Sequence, residues 1–155
     1  MIRSAFGLSL LVSMGVVMTG CGDSGGSACD TGQVECDGVC IPAIEPTLDG
    51  VRGIQASVFD VSCAISTSCH GAGGGLQSGL VLSSASVSAD NLIDVESTEV
   101  DKLRVAPGDT GASYLVDKLL GQNLALGTAQ MPNLGQPLCD AKIQAVEDWI
   151  AAGAN

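Results

Sequence analysis

One short stretch, residues 63–70, constrains this chain more than any other, because it holds two of the seven cysteines and the only histidine. It reads Cys-Ala-Ile-Ser-Thr-Ser-Cys-His, so five residues separate Cys63 from Cys69, and His70 follows directly. On a regular helix, residues six apart point about 120° apart, so the two thiols reach one group only if the residues between them loop out. The hydroxyl side chains at 66–68 favour such a loop, because they compete for backbone hydrogen bonds.

The order of these groups is close to the attachment signal for c-type haem, Cys-x-x-Cys-His. In that signal two thiols bond the porphyrin vinyl groups and the adjacent imidazole ligates the iron. Here the spacing is Cys-x5-Cys-His. The stretch therefore predicts haem attachment at Cys63 and Cys69, with His70 as an iron ligand. Two alternatives stay open: a structural disulfide beside a bystander histidine, and a metal or other site.

Residues 1–20 are predicted to be a lipoprotein signal peptide. Arg3 supplies a minimal positive region, and the apolar run at 5–18 has the length of a signal-peptide core and is too short to span a bilayer comfortably. The run ends in Thr-Gly before Cys21, which resembles the bacterial lipobox, so Cys21 is predicted to be lipidated and to anchor the protein to the membrane. The alternative is an ordinary signal peptide that is cut nearby.

Export predicts an oxidising compartment, in which disulfides persist. Without Cys21, six cysteines remain; if haem takes two of them, the other four permit two disulfides, and without haem three disulfides are possible. The candidates are Cys29, Cys36, Cys40 and Cys139, with one bond expected to tie the N-terminal cysteines to the last helix. Residues 21–50 are accordingly predicted to be a flexible tether and a short disulfide-rich segment, with zinc binding by its cysteines as the alternative.

The charge of the mature chain bears on its partners. Seventeen acidic residues stand against five basic ones once Arg3 is removed, which gives a formal charge of −12. This balance argues against nucleic acid and would steer the protein toward a basic partner, although a solvated acidic surface explains it equally well. Gly22 follows Cys21 where an aspartate would signal retention in the inner membrane, so the outer membrane, on its periplasmic or surface side, is the predicted location.

Residues 51–155 are predicted to form one small all-α domain with long loops. Helices are predicted at 53–61, from the N-cap Asp109 through 113–120 to Gly121, and from near Asp140 through Ile150, with a short turn or helix at 91–96. Long irregular segments in a compact domain need something else to organise them. Because the mature chain has only three aromatic residues, a large apolar cofactor would supply the missing core.

Several strings in this domain carry a resemblance to a known family. They are Leu-Arg-Val-Ala-Pro-Gly-Asp at 103–109, Ser-Tyr-Leu-Val-Asp-Lys-Leu at 113–119, Met-Pro at 131–132 and Trp-Ile-Ala-Ala-Gly-Ala at 149–154. In this order, with Cys…Cys-His before them, they resemble the cytochrome c-like domains of exported bacterial lipoproteins, within the class I cytochrome c superfamily. The resemblance implies haem thioethers at Cys63 and Cys69, proximal ligation by His70 and distal ligation by Met131.

The resemblance also implies a function. An iron with histidine and methionine ligands has no open position, which suits one-electron transfer to a redox partner protein of unknown identity and not substrate turnover. The alternative is a cytochrome c-like domain without haem that serves as a surface interaction module. The family often has a proline soon after the histidine, whose backbone carbonyl accepts from Nδ1. Here a carbonyl of the glycine-rich run at 71–75 is the expected substitute.

Overall fold

The computed structural model describes residues 29–73, 78–133 and 135–155. The predicted signal peptide, the predicted lipidation site Cys21 and the first part of the tether lie outside these residues. Within the described ranges, no helix is long and apolar enough to cross a membrane.

The described chain begins with a β-hairpin. Strand β1 (Gln33–Cys36) pairs antiparallel with β2 (Val39–Pro42), and Cys36 lies opposite Val39 in the register. The two connecting residues, Asp37 and Gly38, both have positive φ angles, 51° and 83°. This is the conformation that a two-residue turn needs to match the twist of its strands, and Asp-Gly favours it.

Two disulfides hold this hairpin. Cys29 is bonded to Cys40 within the segment, and Cys36 is bonded to Cys139, which directly precedes the last helix. The prediction of two disulfides among these four cysteines, one of them to the last helix, is confirmed. Because their sulfurs are oxidised, these cysteines are not zinc ligands. Disulfides of this kind indicate an oxidising compartment outside the cytoplasm.

The predicted all-α fold class is wrong, because the described residues form a mixed α/β structure with a two-stranded antiparallel sheet. Each strand has only four residues, and half of the strand residues are exposed. Such strands carry little of the apolar alternation by which a half-buried strand is recognised. Disulfides replace the missing core here, so hydrophobic periodicity could not reveal the hairpin.

A π-helix (Gln55–Cys63) leads into the cysteine–histidine stretch. A helix was predicted here, and its apolar residues are buried as expected: Val58 and Phe59 have no exposed surface. Its hydrogen bonding is wider than that of an α-helix, as in the 2.7 Å bond from the Ala64 amide to the Phe59 carbonyl five residues earlier. Such wide turns are rare and often occur at functional sites.

Three α-helices follow within the described residues: α1 (Ala85–Leu92), α2 (Tyr114–Leu120) and α3 (Asp140–Ala151). The last two were predicted. Gly121 ends α2 in the left-handed conformation, with φ 68°, as a C-terminal glycine does. Of the short turn or helix predicted at 91–96, only the first two residues are helical, since α1 ends at Leu92, and a turn follows at Asp94. Asp109 was wrongly assigned as the N-cap of α2; its carboxylate accepts a hydrogen bond from the Ala112 amide in the preceding turn, and Ser113 is the residue before the helix.

The core lies where these helices meet. Leu92 of α1 and Leu119 of α2 are almost fully buried, and α3 contributes Val146, Trp149 and Ile150, none of which has exposed surface. Single bridges fold the irregular segment between α1 and α2 on itself by pairing Ile93 with Val105 and Leu103 with Ser113, and its Val105 belongs to the core. One face of α2 lines a cavity together with the cysteine–histidine stretch.

Candidate functional site

Two neighbouring cavities share the side chains of Cys63, His70 and Met131. The first contains about 710 Å³ of atom-free space, its open mouth included, and the second about 670 Å³. Cys69 lines the second cavity. The structure therefore brings the four predicted cofactor residues together, although they come from two segments about 60 positions apart.

Apolar side chains form much of the wall of the first cavity. Five leucines from three parts of the chain line it: Leu80, Leu82, Leu92, Leu115 and Leu119. Leu82, Leu92 and Leu119 are also members of the buried core. The cavity thus extends outward from the hydrophobic core, and apolar surface predominates in its lining, which is typical of sites for apolar ligands.

The residues between the two thiols form the predicted loop. The backbone closes it with three hydrogen bonds: from the His70 amide to the Cys63 carbonyl at 3.0 Å, and from the Cys69 and Gly71 amides to the Ser66 carbonyl at 3.1 and 3.0 Å. Gly71 has no space for a side chain, because a Cβ there would lie 2.7 Å from the Ser66 oxygen. The loop returns Cys69 and His70 to the end of the π-helix, where Cys63 lies.

The imidazole of His70 has a defined orientation. Its Nδ1 lies 3.0 Å from the backbone oxygen of Leu80. A carbonyl oxygen only accepts, so in the neutral imidazole Nδ1 carries the proton and Nε2 keeps the lone pair that a metal ligand needs. The expectation that a carbonyl of the run at 71–75 would accept from Nδ1 is wrong. The acceptor comes from further along the chain, because the Leu82 amide donates to the His70 carbonyl at 2.7 Å and aligns the two segments.

Both thiols at the site are free, so the alternative of a structural disulfide at this position is not what the structure has. Cys63 is the more constrained of the two. Burial raises the pKa of its thiol to about 12, a shift that Lys142 opposes and Cys69 assists. The two cysteines beside His70 are thus free, whereas the other described cysteines all form disulfides.

Met131 lies in an irregular segment that α2 holds in place. Its amide donates to the Lys118 carbonyl at 2.8 Å, and the side-chain amide of Gln130 donates to the Leu119 carbonyl at 2.7 Å. These bonds use carbonyl groups near the C-terminal end of α2, which lack partners within the helix. These bonds hold the backbone at Met131, whose half-buried side chain lines both cavities.

Charged side chains form a polar part of the first cavity. The Glu99 carboxylate accepts from the Tyr114 hydroxyl at 2.9 Å, from Lys118 Nζ at 3.2 Å and from the Ser78 hydroxyl at 3.0 Å. Burial alone would raise the pKa of Glu99, but these hydrogen bonds outweigh it and hold the pKa below its ordinary value. Arg104 also lines the cavity and donates to the backbone oxygens of Asn91 and Ser78.

Little in the sequence indicates this charged group. Tyr114 and Lys118 are four residues apart on α2, so their common face was foreseeable. Glu99 and Arg104 lie in the irregular segment between α1 and α2, where no periodicity indicates which side chains turn inward. Among the described residues Arg104 forms no ion pair, so its guanidinium is not neutralised by a carboxylate.

Comparisons with protein-family models, with curated proteins and with solved structures found no match to this chain. The case for a function therefore comes from the side chains around the two cavities.

Proposed function

We propose that this protein is an exported c-type haem protein that transfers single electrons, with haem bound by Cys63, Cys69, His70 and Met131. The observation that carries the proposal is the arrangement at the leucine-lined cavity. An imidazole whose Nε2 keeps its lone pair, a thioether and the Cys63 thiol meet there, and the Cys69 thiol lines the adjoining cavity. Two free thiols beside an imidazole are the groups that covalent haem attachment would need.

The donor set fits this cofactor. Imidazole and thioether are the iron ligands of electron-carrying c-type haem, and neither needs to lose a proton at Nε2 or sulfur in order to bind. Each thiol attaches by addition across a vinyl double bond, sulfur to one carbon and hydrogen to the other, so nothing leaves. The apolar wall suits the macrocycle, and the cations Arg104 and Lys118 suit its carboxylates.

The haem, when bound, supplies the one-electron chemistry. The residues of the chain orient and hold the groups that would bind the iron. The hydrogen bond from Nδ1 to Leu80 fixes the tautomer of His70 and raises the basicity of its Nε2, and the backbone bond to Lys118 keeps Met131 at the cavity. With His70 and Met131 both holding the iron, no coordination position would remain for a substrate, so an electron carrier is favoured over an enzyme.

The proposal includes a place of action and a partner. Lipidation at Cys21 would anchor the protein to a membrane, with the outer membrane favoured by Gly22. The partner would be a redox protein with a basic surface. Of the five cations in the described residues, three form ion pairs with carboxylates, so most of the acidic groups are uncompensated. Such a field speeds encounter with a basic partner at low salt.

The test is to produce the full chain in a host with haem-attachment machinery, and to record its visible spectrum and intact mass. We expect a red protein whose haem survives acid-acetone extraction and denaturing electrophoresis. Cys63→Ala and Cys69→Ala should each remove one thioether, and His70→Ala should abolish the low-spin spectrum. Met131→Leu should keep the haem attached and lower the potential, because a methionine ligand raises it.

The matched control is the double variant Cys29→Ala/Cys40→Ala, which also removes two cysteines but leaves the cavity unchanged. It should remain red. A colourless wild-type protein from the same host would refute the proposal and leave a non-catalytic exported module as the function.

A further inference from the structure

The irregular segment at 80–82 holds the imidazole of His70. Nδ1 donates to the Leu80 oxygen, and the Leu82 amide donates to the His70 oxygen. Residues 80–82 belong to no helix or strand, so no ladder of backbone bonds fixes them. Besides the burial of the Leu82 side chain, their position depends on a side chain that bonds to them from another part of the fold.

That side chain is Gln55. Its Nε2 donates to the Leu82 oxygen at 2.8 Å and to Oδ1 of Asp60 at 2.6 Å, and its Oε1 accepts from the Ser88 hydroxyl at 2.6 Å. Two partners accept and one donates, so the amide fits in only one orientation. Gln55 is 6% exposed and Ser88 is fully buried. Although Asp60 at one end is exposed, the polar atoms of the two buried members are satisfied, and a satisfied buried network is rigid.

The position of Gln55 makes this network relevant to the site. Gln55 is the first residue of the π-helix, and the same helix ends at Cys63. Ser88 belongs to α1. One side chain therefore joins the helix that carries the first thiol, the segment that bonds the imidazole, and the helix that contributes Leu92 to the cavity.

We propose that Gln55 is a positioning residue for His70. By holding the Leu82 carbonyl it keeps the neighbouring Leu80 carbonyl against Nδ1, and it thereby maintains the tautomer in which Nε2 keeps its lone pair. The consequence at iron rests on the proposed function. A weaker bond at Nδ1 makes the imidazole a poorer donor, which disfavours ferric iron and raises the potential. The tautomer itself is a property of the chain with or without haem.

The test compares two variants in the full chain. Gln55→Met keeps an unbranched side chain of similar length but donates nothing to Leu82. Ser88→Ala removes a bond from the same network and leaves the Gln55–Leu82 bond in place, so it is the matched control for lost stability. Because His70 is the only histidine, a chain labelled with ¹⁵N-histidine gives the signals of this one ring.

We expect the neutral imidazole of the haem-free wild type to be protonated at Nδ1. Gln55→Met should shift the population toward the Nε2-protonated form and speed solvent exchange of the remaining Nδ1 proton at least tenfold. Ser88→Ala should leave both unchanged. In the haem-bearing protein, Gln55→Met should raise the midpoint potential and Ser88→Ala should not.

The outcomes separate this inference from the proposed function. A chain that binds no haem but loses the Nδ1 tautomer only in Gln55→Met refutes the proposed function and supports the inference. Equal effects of the two variants would reduce Gln55 to a core residue and overturn the inference. If the haem-free chain does not fold, solvent exchange of the Nδ1 proton is compared among the same variants in the reduced haem-bearing chain. An exchange rate in Gln55→Met equal to that of the wild type would then overturn the inference. If Gln55→Met does not fold, Gln55→Asn, which is one methylene shorter, replaces it.

Discussion

Loss of the Cys36–Cys139 disulfide is predicted to cost more stability than loss of Cys29–Cys40. The first bond spans 103 positions of the chain and the second only 11. A cross-link stabilises chiefly by restricting the unfolded chain, and the gain grows with the logarithm of the closed loop. On this basis the long loop contributes about 4.7 kcal/mol and the short one about 2.8 kcal/mol, a difference of about 2 kcal/mol.

The assay is urea unfolding of the double variants Cys36→Ala/Cys139→Ala and Cys29→Ala/Cys40→Ala. Trp149 is the only tryptophan and is fully buried, so its fluorescence reports the opening of the core. The variant without the long-range bond should have the lower free energy of unfolding. Equal losses, or a larger loss in the short-loop variant, would refute the loop-length reasoning and show that local contacts of the hairpin dominate.

Three further predictions concern other parts of the molecule. Hydrogen bonds lower the pKa of Glu99 in the folded protein. Its carboxylate therefore stabilises the fold at pH values above the ordinary pKa of a glutamate, and this contribution is lost as the pH falls through the lowered pKa. Glu99→Gln should therefore be less stable than wild type at neutral pH, with the two unfolding free energies converging in acid; parallel curves would contradict this. Gly71→Ala should cost roughly 1–3 kcal/mol because its Cβ meets the Ser66 oxygen, whereas Gly111→Ala, which has no contact below 3.4 Å, should be nearly neutral by the same unfolding assay. Cys21→Ser should release the protein from the membrane fraction, and unchanged fractionation would place the anchor elsewhere.

The parts of the fold that the sequence predicted are those with local causes. The last helix repeats its apolar residues at the helical period, so Ile143, Val146, Trp149 and Ile150 identify both its position and its buried face. Gly121 marks the end of α2 because a glycine adopts the left-handed conformation without steric cost. The loop between the two thiols followed from the angle between residues on a helix. In each case neighbours within one or two turns decide the structure.

The parts that the sequence did not predict depend on contacts between distant residues. Leu80 accepts from His70 across ten positions, and Glu99 meets Lys118 across nineteen. Leu80 and Glu99 lie in irregular segments, where no hydrophobic periodicity indicates which residues face inward. The hairpin was not predicted for a related reason: disulfides and a turn stabilise it, and it has no buried apolar face. Chemistry-bearing residues were thus foreseeable by type, but the groups that orient them were not.

The partition of the cysteines links the fold to the proposed site. Cys63 lies close enough to α3 for the charge of Lys142 to act on its thiol, and Cys139 precedes that same helix. A bond between Cys63 and Cys139 would have left one thiol at the cavity and allowed at most one thioether. Cys139 is instead bonded to Cys36 of the hairpin, so both thiols at the cavity remain free. Under the proposed function, the pairing of Cys139 with Cys36 leaves Cys63 available for a thioether beside Cys69 and His70.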